Sequence, residues 1–225
     1  MNLPGLTIWG DSILKGVVFD ETRGRYAVYR DNCILRLSRE DGMEVENFAM
    51  MGNTSEQGLA RMEKQPLKAG NIALIEFGGN DCDQDWAAAS EHPDQPQQGR
   101  VPLEKFGENL RSMVRKAREA GMIPALVTPP PLVARRYFDW VSKNLDPARI
   151  LSYLGDVEHI YRWQERYAVM IRKISREENT ILADMRDLFL SQNRFTDLMC
   201  VDGIHPNAQG HEMLYNEFKL LMQNA

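Results

Sequence analysis

The chain has 225 residues, 43% hydrophobic and 26% charged, with a formal net charge of -5. A chain of that length can bury roughly 70–75% of its unfolded surface without staples, and its acidic balance argues against a nucleic-acid partner, which needs a basic face. No apolar run reaches the roughly 20 residues of a membrane span, no basic-then-apolar leader opens the chain, and Cys33, Cys82 and Cys200 form no CxxC pair; a reducing cytoplasm is the expected location, with neither disulfides nor a zinc or other metal site.

Apolar runs and amphipathic helices alternate along the chain. Leu6–Trp9 reads as a first buried strand, followed by Gly10-Asp11-Ser12. The stretch Gly16–Tyr29 matches no element. Met43–Met50 reads as a second strand ending at Met51-Gly52-Asn53, and Thr54 or Ser55 caps a helix through Met62. Ile72–Phe77 is the third strand, ending at Gly78-Gly79-Asn80-Asp81. Asp83–Val101 is polar and proline-bearing and reads as a surface excursion.

Leu103–Glu119 places Phe106, Leu110, Met113, Val114 and Ala117 on one helical face, and Gly121 closes it. Met122–Thr128 is the fourth strand and ends at Pro129-Pro130-Pro131. Pro129–Tyr153 is too long for a simple connection and reads as a helical lid. A helix over Asp156–Arg176, a fifth strand at Thr180–Asp184 and a last helix from near Asn207 complete the chain. Near-continuous apolar strands separated by helices imply a five-stranded parallel sheet in a three-layer α/β/α sandwich. No repeat or linker composition divides residues 1–225, so a single domain is expected.

Open parallel sheets bind ligands beyond the carboxyl ends of their strands, and the polar clusters fall there. Ser12 is the candidate nucleophile. A serine hydroxyl needs an adjacent base, usually a histidine that a carboxylate orients; His205 is the candidate base and Asp202, three residues earlier in the same turn, its partner. The backbone N–H groups of Ser12 and Gly52 and the side-chain amide of Asn80 are candidate oxyanion donors, each such donor contributing on the order of 3–4 kcal/mol. Asp11, Asp81, Trp86 and Trp140 are candidates for the substrate pocket. Each cluster also fits a plain turn, since Gly, Asp, Asn and Ser all favour turns.

His92, His159 and His211 are expected in solvent-facing or capping positions, and Cys82 as a small buried thiol. Leu14 occupies the second glycine position of a GxSxG elbow, and neither GxGxxG nor a P-loop is present. Asp81, Asp83 and Asp85 resemble the start of a calcium loop, but Trp86 and His92 stand where glycine and glutamate are required.

Taken in order, Gly10-Asp11-Ser12, Gly52, Gly79-Asn80-Asp81 and Asp202-Gly203-Ile204-His205-Pro206 resemble the four blocks of the SGNH (GDSL-type) hydrolase family. Ile13 stands where that family commonly has leucine. The resemblance implies a flavodoxin-like fold, a Ser12–His205–Asp202 triad, oxyanion donors at Ser12, Gly52 and Asn80, and no metal or cofactor. The expected activity is hydrolysis of a small carboxylic ester, with O-acetyl groups on a carbohydrate as the leading substrate. An acyl-CoA thioesterase or lysophospholipase-type acylhydrolase is the alternative, the thioesterase with Arg135 and Arg136 holding a phosphorylated carrier. A non-catalytic binding module is the third. The expected partner is thus a small-molecule ester, and no feature specifies an oligomeric state.

Overall fold

A computed structural model describes residues 4–224. Leu6–Trp9 (β1) hands over at Gly10 to a single helical turn, Ser12–Lys15 (α1). An antiparallel hairpin of Val17–Asp20 (β2) and Arg25–Val28 (β3) follows, then Cys33–Asp41 (α2), Val45–Asn47 (β4), Ser55–Met62 (α3) and Ile72–Glu76 (β5). Next come Trp86–Glu91 (α4), Leu103–Glu119 (α5), Ile123–Val127 (β6), Ala134–Val141 (α6), Pro147–Leu154 (α7) and His159–Glu177 (α8). Ile181–Ala183 (β7), Met185–Leu190 (α9), a 3-10 turn at Phe195–Leu198 and Ala208–Asn224 (α10) end the described chain.

Five strands form one parallel sheet in the order β4-β1-β5-β6-β7. This is the flavodoxin-like order, with the switch point beside β1. Successive side chains leave a strand on opposite faces, and here both faces meet helices. Leu6, Ile8, Leu74 and Val127 join one core with Leu37 of α2 and Phe218 of α10. Trp9, Ala73, Ile75 and Leu126 join the other with Met113 of α5 and Ile171 of α8. A strand covered twice is apolar at nearly every position, which is why the runs read as continuous rather than alternating. A third cluster of Leu132, Phe138, Ile150, Leu154 and Ile160 holds α6 and α7 to the start of α8.

The structure departs from the sequence reading at several elements. The second strand is three residues long rather than Met43–Met50. Beyond it the chain stays extended beside β1, with Phe48 N–H donating to Ile8 O (2.9 Å) and Met50 N–H to Gly10 O (3.1 Å), so Gly52 still arrives at the rim. The expected lid is two helices, α6 and α7. The unassigned stretch after Gly16 is the β2–β3 hairpin, whose paired runs of β-branched and aromatic residues flank a polar, glycine-bearing turn.

Asn32 anchors the return from that hairpin. It is buried, its Oδ1 accepts from Ile34 N–H (3.1 Å) and Leu35 N–H (3.0 Å), and its Nδ2 donates to Tyr29 O (2.7 Å). Asn32→Ala leaves these groups without their partner. The expected loss is about 1–2 kcal/mol, a fall in Tm of about 2–8 °C for a chain of this size, read by thermal unfolding.

Candidate active site

Ser12 opens α1 at the carboxyl end of β1, and its hydroxyl meets His205 across 193 residues of chain, with Nε2 to Oγ at 2.8 Å. His205 Nδ1 lies 2.6 Å from Asp202 Oδ2. The three residues are 7%, 3% and 0% exposed for Ser12, His205 and Asp202. Asp202 Oδ1 also accepts the N–H groups of Ile204 (3.1 Å) and His205 (3.2 Å), a turn that folds the imidazole back over its own carboxylate. Burial raises the Asp202 carboxyl, but the His205 hydrogen bond and charge, with those two N–H groups, outweigh it and hold it below its ordinary value.

That turn is locked from outside. Gly203 has φ +77°, and a Cβ on it would sit 2.8 Å from Val133 O and 3.0 Å from Tyr137 N. Glycine alone admits both the backbone angle and the close seat of α6. Val133 N–H donates to Gly203 O (2.8 Å), and Arg136 Nη1 donates to Thr196 O (2.7 Å) and Met199 O (3.1 Å). Arg136 is therefore spent on backbone carbonyls, and Arg135 pairs with Asp139 on the surface. Neither is poised for the phosphorylated carrier of the thioesterase alternative.

A cavity of about 180 Å³ opens over Ser12 and His205, and Asp11, Gly52, Asn80 and Trp86 line it as well. Its far wall is apolar and aromatic, built from Leu132, Tyr137, Leu154, Ile160 and Trp163. Asp83 ties the wall together: its Oδ1 accepts from Tyr137 OH (2.7 Å) and Trp86 Nε1 (2.9 Å). Cys82 and His159 also line the cavity, and His159 stacks on Trp163 at 6.2 Å between ring centres. All three thiols are buried.

Two expected pocket residues lie elsewhere. Asp81 is fully buried beneath the loop, where it accepts from Ser55 N–H (2.8 Å), Ser55 Oγ–H (2.5 Å) and Gly78 N–H (3.1 Å). Its two oxygens hold the Gly78–Asp81 turn and the start of α3. Trp140 is drawn off by the hairpin, its ring 4.8 Å from Phe19 and 6.1 Å from Tyr26, with the Lys143 ammonium over its face. His211 is fully buried rather than solvent-facing, and burial holds its imidazole down to about 4.

Tyr26 escaped the sequence reading. It comes from the hairpin, lines the cavity and packs its ring 5.1 Å from that of His205, near enough to the Asp202 carboxylate to feel its charge. Burial, and then the Asp202 charge, raise its phenol. Among the described residues no group of three or more His, Cys, Asp or Glu side chains is set to hold a metal ion. No helix among them is long and apolar enough to cross a membrane.

Residues 8–213 match the model of the GDSL-like Lipase/Acylhydrolase family. The chain belongs to this family. It is 28% identical over 152 residues to an isoamyl acetate-hydrolyzing esterase 1 homolog of Bos taurus, covering 66% of this chain and 54% of that protein, so it spans about half the length of the curated relative. Its fold is similar to that of a lipase/acylhydrolase from Enterococcus faecalis, with TM-score 0.64 and 22% identity over 99% of this chain and 97% of that one. The acetyl xylan esterase AlAXEase gives TM-score 0.65 and 20% identity over 96% and 98% of the two chains.

In this GDSL-family chain the oxyanion candidates rest on a buried carboxyl pair. Asn80 Nδ2 donates to Asp11 Oδ2 (2.9 Å), and the amide keeps a second N–H for a ligand. Asp11 Oδ1 accepts from Ile13 N–H (2.9 Å) and its own N–H donates to Glu76 Oε2 (3.2 Å). The Ser12 N–H, at the first helical position, has no carbonyl a turn earlier to bond. Gly10 makes room for the pair, since a Cβ there would sit 3.0 Å from Glu76 Oε2. Burial and then the Asp11 charge push Glu76 well above its ordinary value. Burial also raises Asp11, against the pull of Ile13, Glu76, His205 and Asn80.

A carboxyl raised by folding stabilises the protein fully below its ordinary value of 4.5, and that contribution is lost as pH rises through the higher folded value. Glu76→Gln stays neutral throughout. The Tm of Glu76→Gln minus that of the unaltered protein is therefore expected to grow more positive from about pH 5 to about pH 8. A difference that stays constant would mean that Glu76 is ionised in the folded chain.

Proposed function

We propose that this chain is a serine esterase that hydrolyses small carboxylic esters through an acyl-enzyme on Ser12. The observation that carries the reading is the unbroken chain of contacts from Ser12 Oγ through His205 to Asp202, at the floor of a cavity that also presents Gly52 and Asn80. His205 Nε2 takes the Ser12 proton as Oγ attacks the ester carbonyl, and Asp202 holds the Nδ1–H and balances the imidazolium. The N–H groups of Ser12 and Gly52 and the free N–H of Asn80 receive the developing oxyanion. Collapse breaks the bond to the alcohol oxygen, which leaves with the proton from His205. Water then repeats the sequence on the acyl-enzyme and releases the carboxylic acid.

The wall of Leu132, Leu154, Ile160 and Ile204 favours an ester whose buried half is short and apolar. The name of the Bos taurus relative, an isoamyl acetate-hydrolyzing esterase homolog, supports the same class. A carbohydrate O-acetyl ester is the second reading. The indole of Trp86 offers a stacking face beside the polar Asp83 and Gln84, and the acetyl xylan esterase of similar fold supports it.

Turnover of nitrophenyl acetate, butanoate and octanoate tests the reaction, and isoamyl acetate against an acetylated xylan tests the alcohol half. Ser12→Ala and His205→Ala are expected to lose at least about 10³-fold in kcat. Asn80→Ala is expected to lose about 10²–10³-fold in kcat with little change in KM, because its contact forms in the transition state. Full activity in Ser12→Ala would remove the proposed mechanism.

A further inference from the structure

A second depression, of about 490 Å³, lies next to the catalytic cavity. Tyr26 and Met51 belong to the walls of both, so these two side chains stand between the cavity and the groove. Val17, Val28 and Phe48 make its surface apolar. Two cations stand in it and no carboxylate does: Lys15 at the end of α1 and Arg61 in the last turn of α3. On a chain of net charge -5 this is a local reversal of sign.

Arg61 is the informative member. Its Nε is buried and has no hydrogen-bond partner. Among the described residues neither Arg61 nor Lys15 is in an ion pair, whereas Arg36, Arg111 and Arg172 each meet a glutamate. The terminal guanidinium nitrogens of Arg61 have no partner among the described residues either, and a carboxylate or phosphate oxygen in the groove would engage them through charge-assisted hydrogen bonds. The apolar residues that line the groove beside the cations suit an alkyl connection rather than a free ion.

We propose that this groove is a substrate subsite for an anionic group, a carboxylate or phosphate joined by a short alkyl spacer to the ester that Ser12 attacks, with Arg61 and Lys15 as its counter-ions. The inference rests on the esterase reading and narrows its substrate class. The acyl half occupies the apolar cavity, and the alcohol half leaves past Tyr26 and Met51 into the groove. Chemistry at the carbonyl is unchanged; the groove acts on binding.

The test compares butanoate esters of matched alcohols that end in a methyl, a carboxylate or a phosphate group, across spacers of graded length. The anionic esters are expected to exceed the neutral ones in kcat/KM by about tenfold or more, mainly through KM, with a preference that shrinks as salt rises. Arg61→Ala and Lys15→Ala each reduce that preference, and the double variant abolishes it, while the neutral ester keeps its rate to within about twofold. The neutral ester also reports that the variants are folded. Equal turnover of anionic and neutral esters, or a preference that survives in the double variant, overturns the proposal.

Calorimetric binding of hexyl phosphate to Ser12→Ala separates this inference from the esterase reading. Binding that is lost when Arg61→Ala and Lys15→Ala are added keeps the groove even where no ester is cleaved. Ester cleavage without hexyl phosphate binding keeps the esterase and sinks the groove.

Discussion

One hydrogen bond, between the Ser12 hydroxyl and the His205 imidazole, sets the terms for the rest of the molecule. Its two ends lie near opposite termini, so everything between them serves to close the gap. The parallel sheet does most of this by directing every strand to the same rim. Three neighbouring strands deliver Ser12, Gly52 and Asn80, and the segment after α9 returns with Asp202 and His205. The final approach is made by α6, which seats on Gly203 and grips the preceding carbonyls through Arg136. The cover of the cavity and the turn that carries the imidazole are thus one mechanical unit.

Beneath that contact the protein tolerates an expensive arrangement. Asp11, Glu76 and Asp81 are each at most 1% exposed; burial raises all three, and the Asp11 charge raises the other two further. Backbone N–H groups, one amide and one hydroxyl meet their oxygens, except Glu76 Oε1, which is buried without a partner. Packing these positions with apolar side chains would be more stable in isolation, but it would leave the Asn80 amide without a fixed orientation. Sites of this kind are where local stability and activity part company.

Much of this was readable in the sequence because the deciding signals are local. The helix Leu103–Glu119 coincides with its reading, since a 3.6-residue period and a closing glycine bound it on both sides. The polar clusters at the strand ends were readable because a buried parallel strand must stop where polar residues begin. What escaped depends on contacts between distant segments. Tyr26 lies in short β-branched runs that carry no mark of what they cover. Trp140 and Trp86 are alike as sequence, and only the hairpin packed against one and Asp83 against the other tell them apart. Asp81 reads as a rim residue until Ser55, from another loop, is seen to hold it. Arg136 reads as a free cation until three backbone carbonyls surround it.

The cysteines have a practical corollary. Burial is the first cause that pushes each of them up: Cys33 to about 12, Cys200 to about 11, and Cys82 well above its ordinary value. Air oxidation and maleimide conjugation both begin from the thiolate. A single cysteine engineered onto the surface would therefore be expected to take a dye well before the buried native sulfurs do.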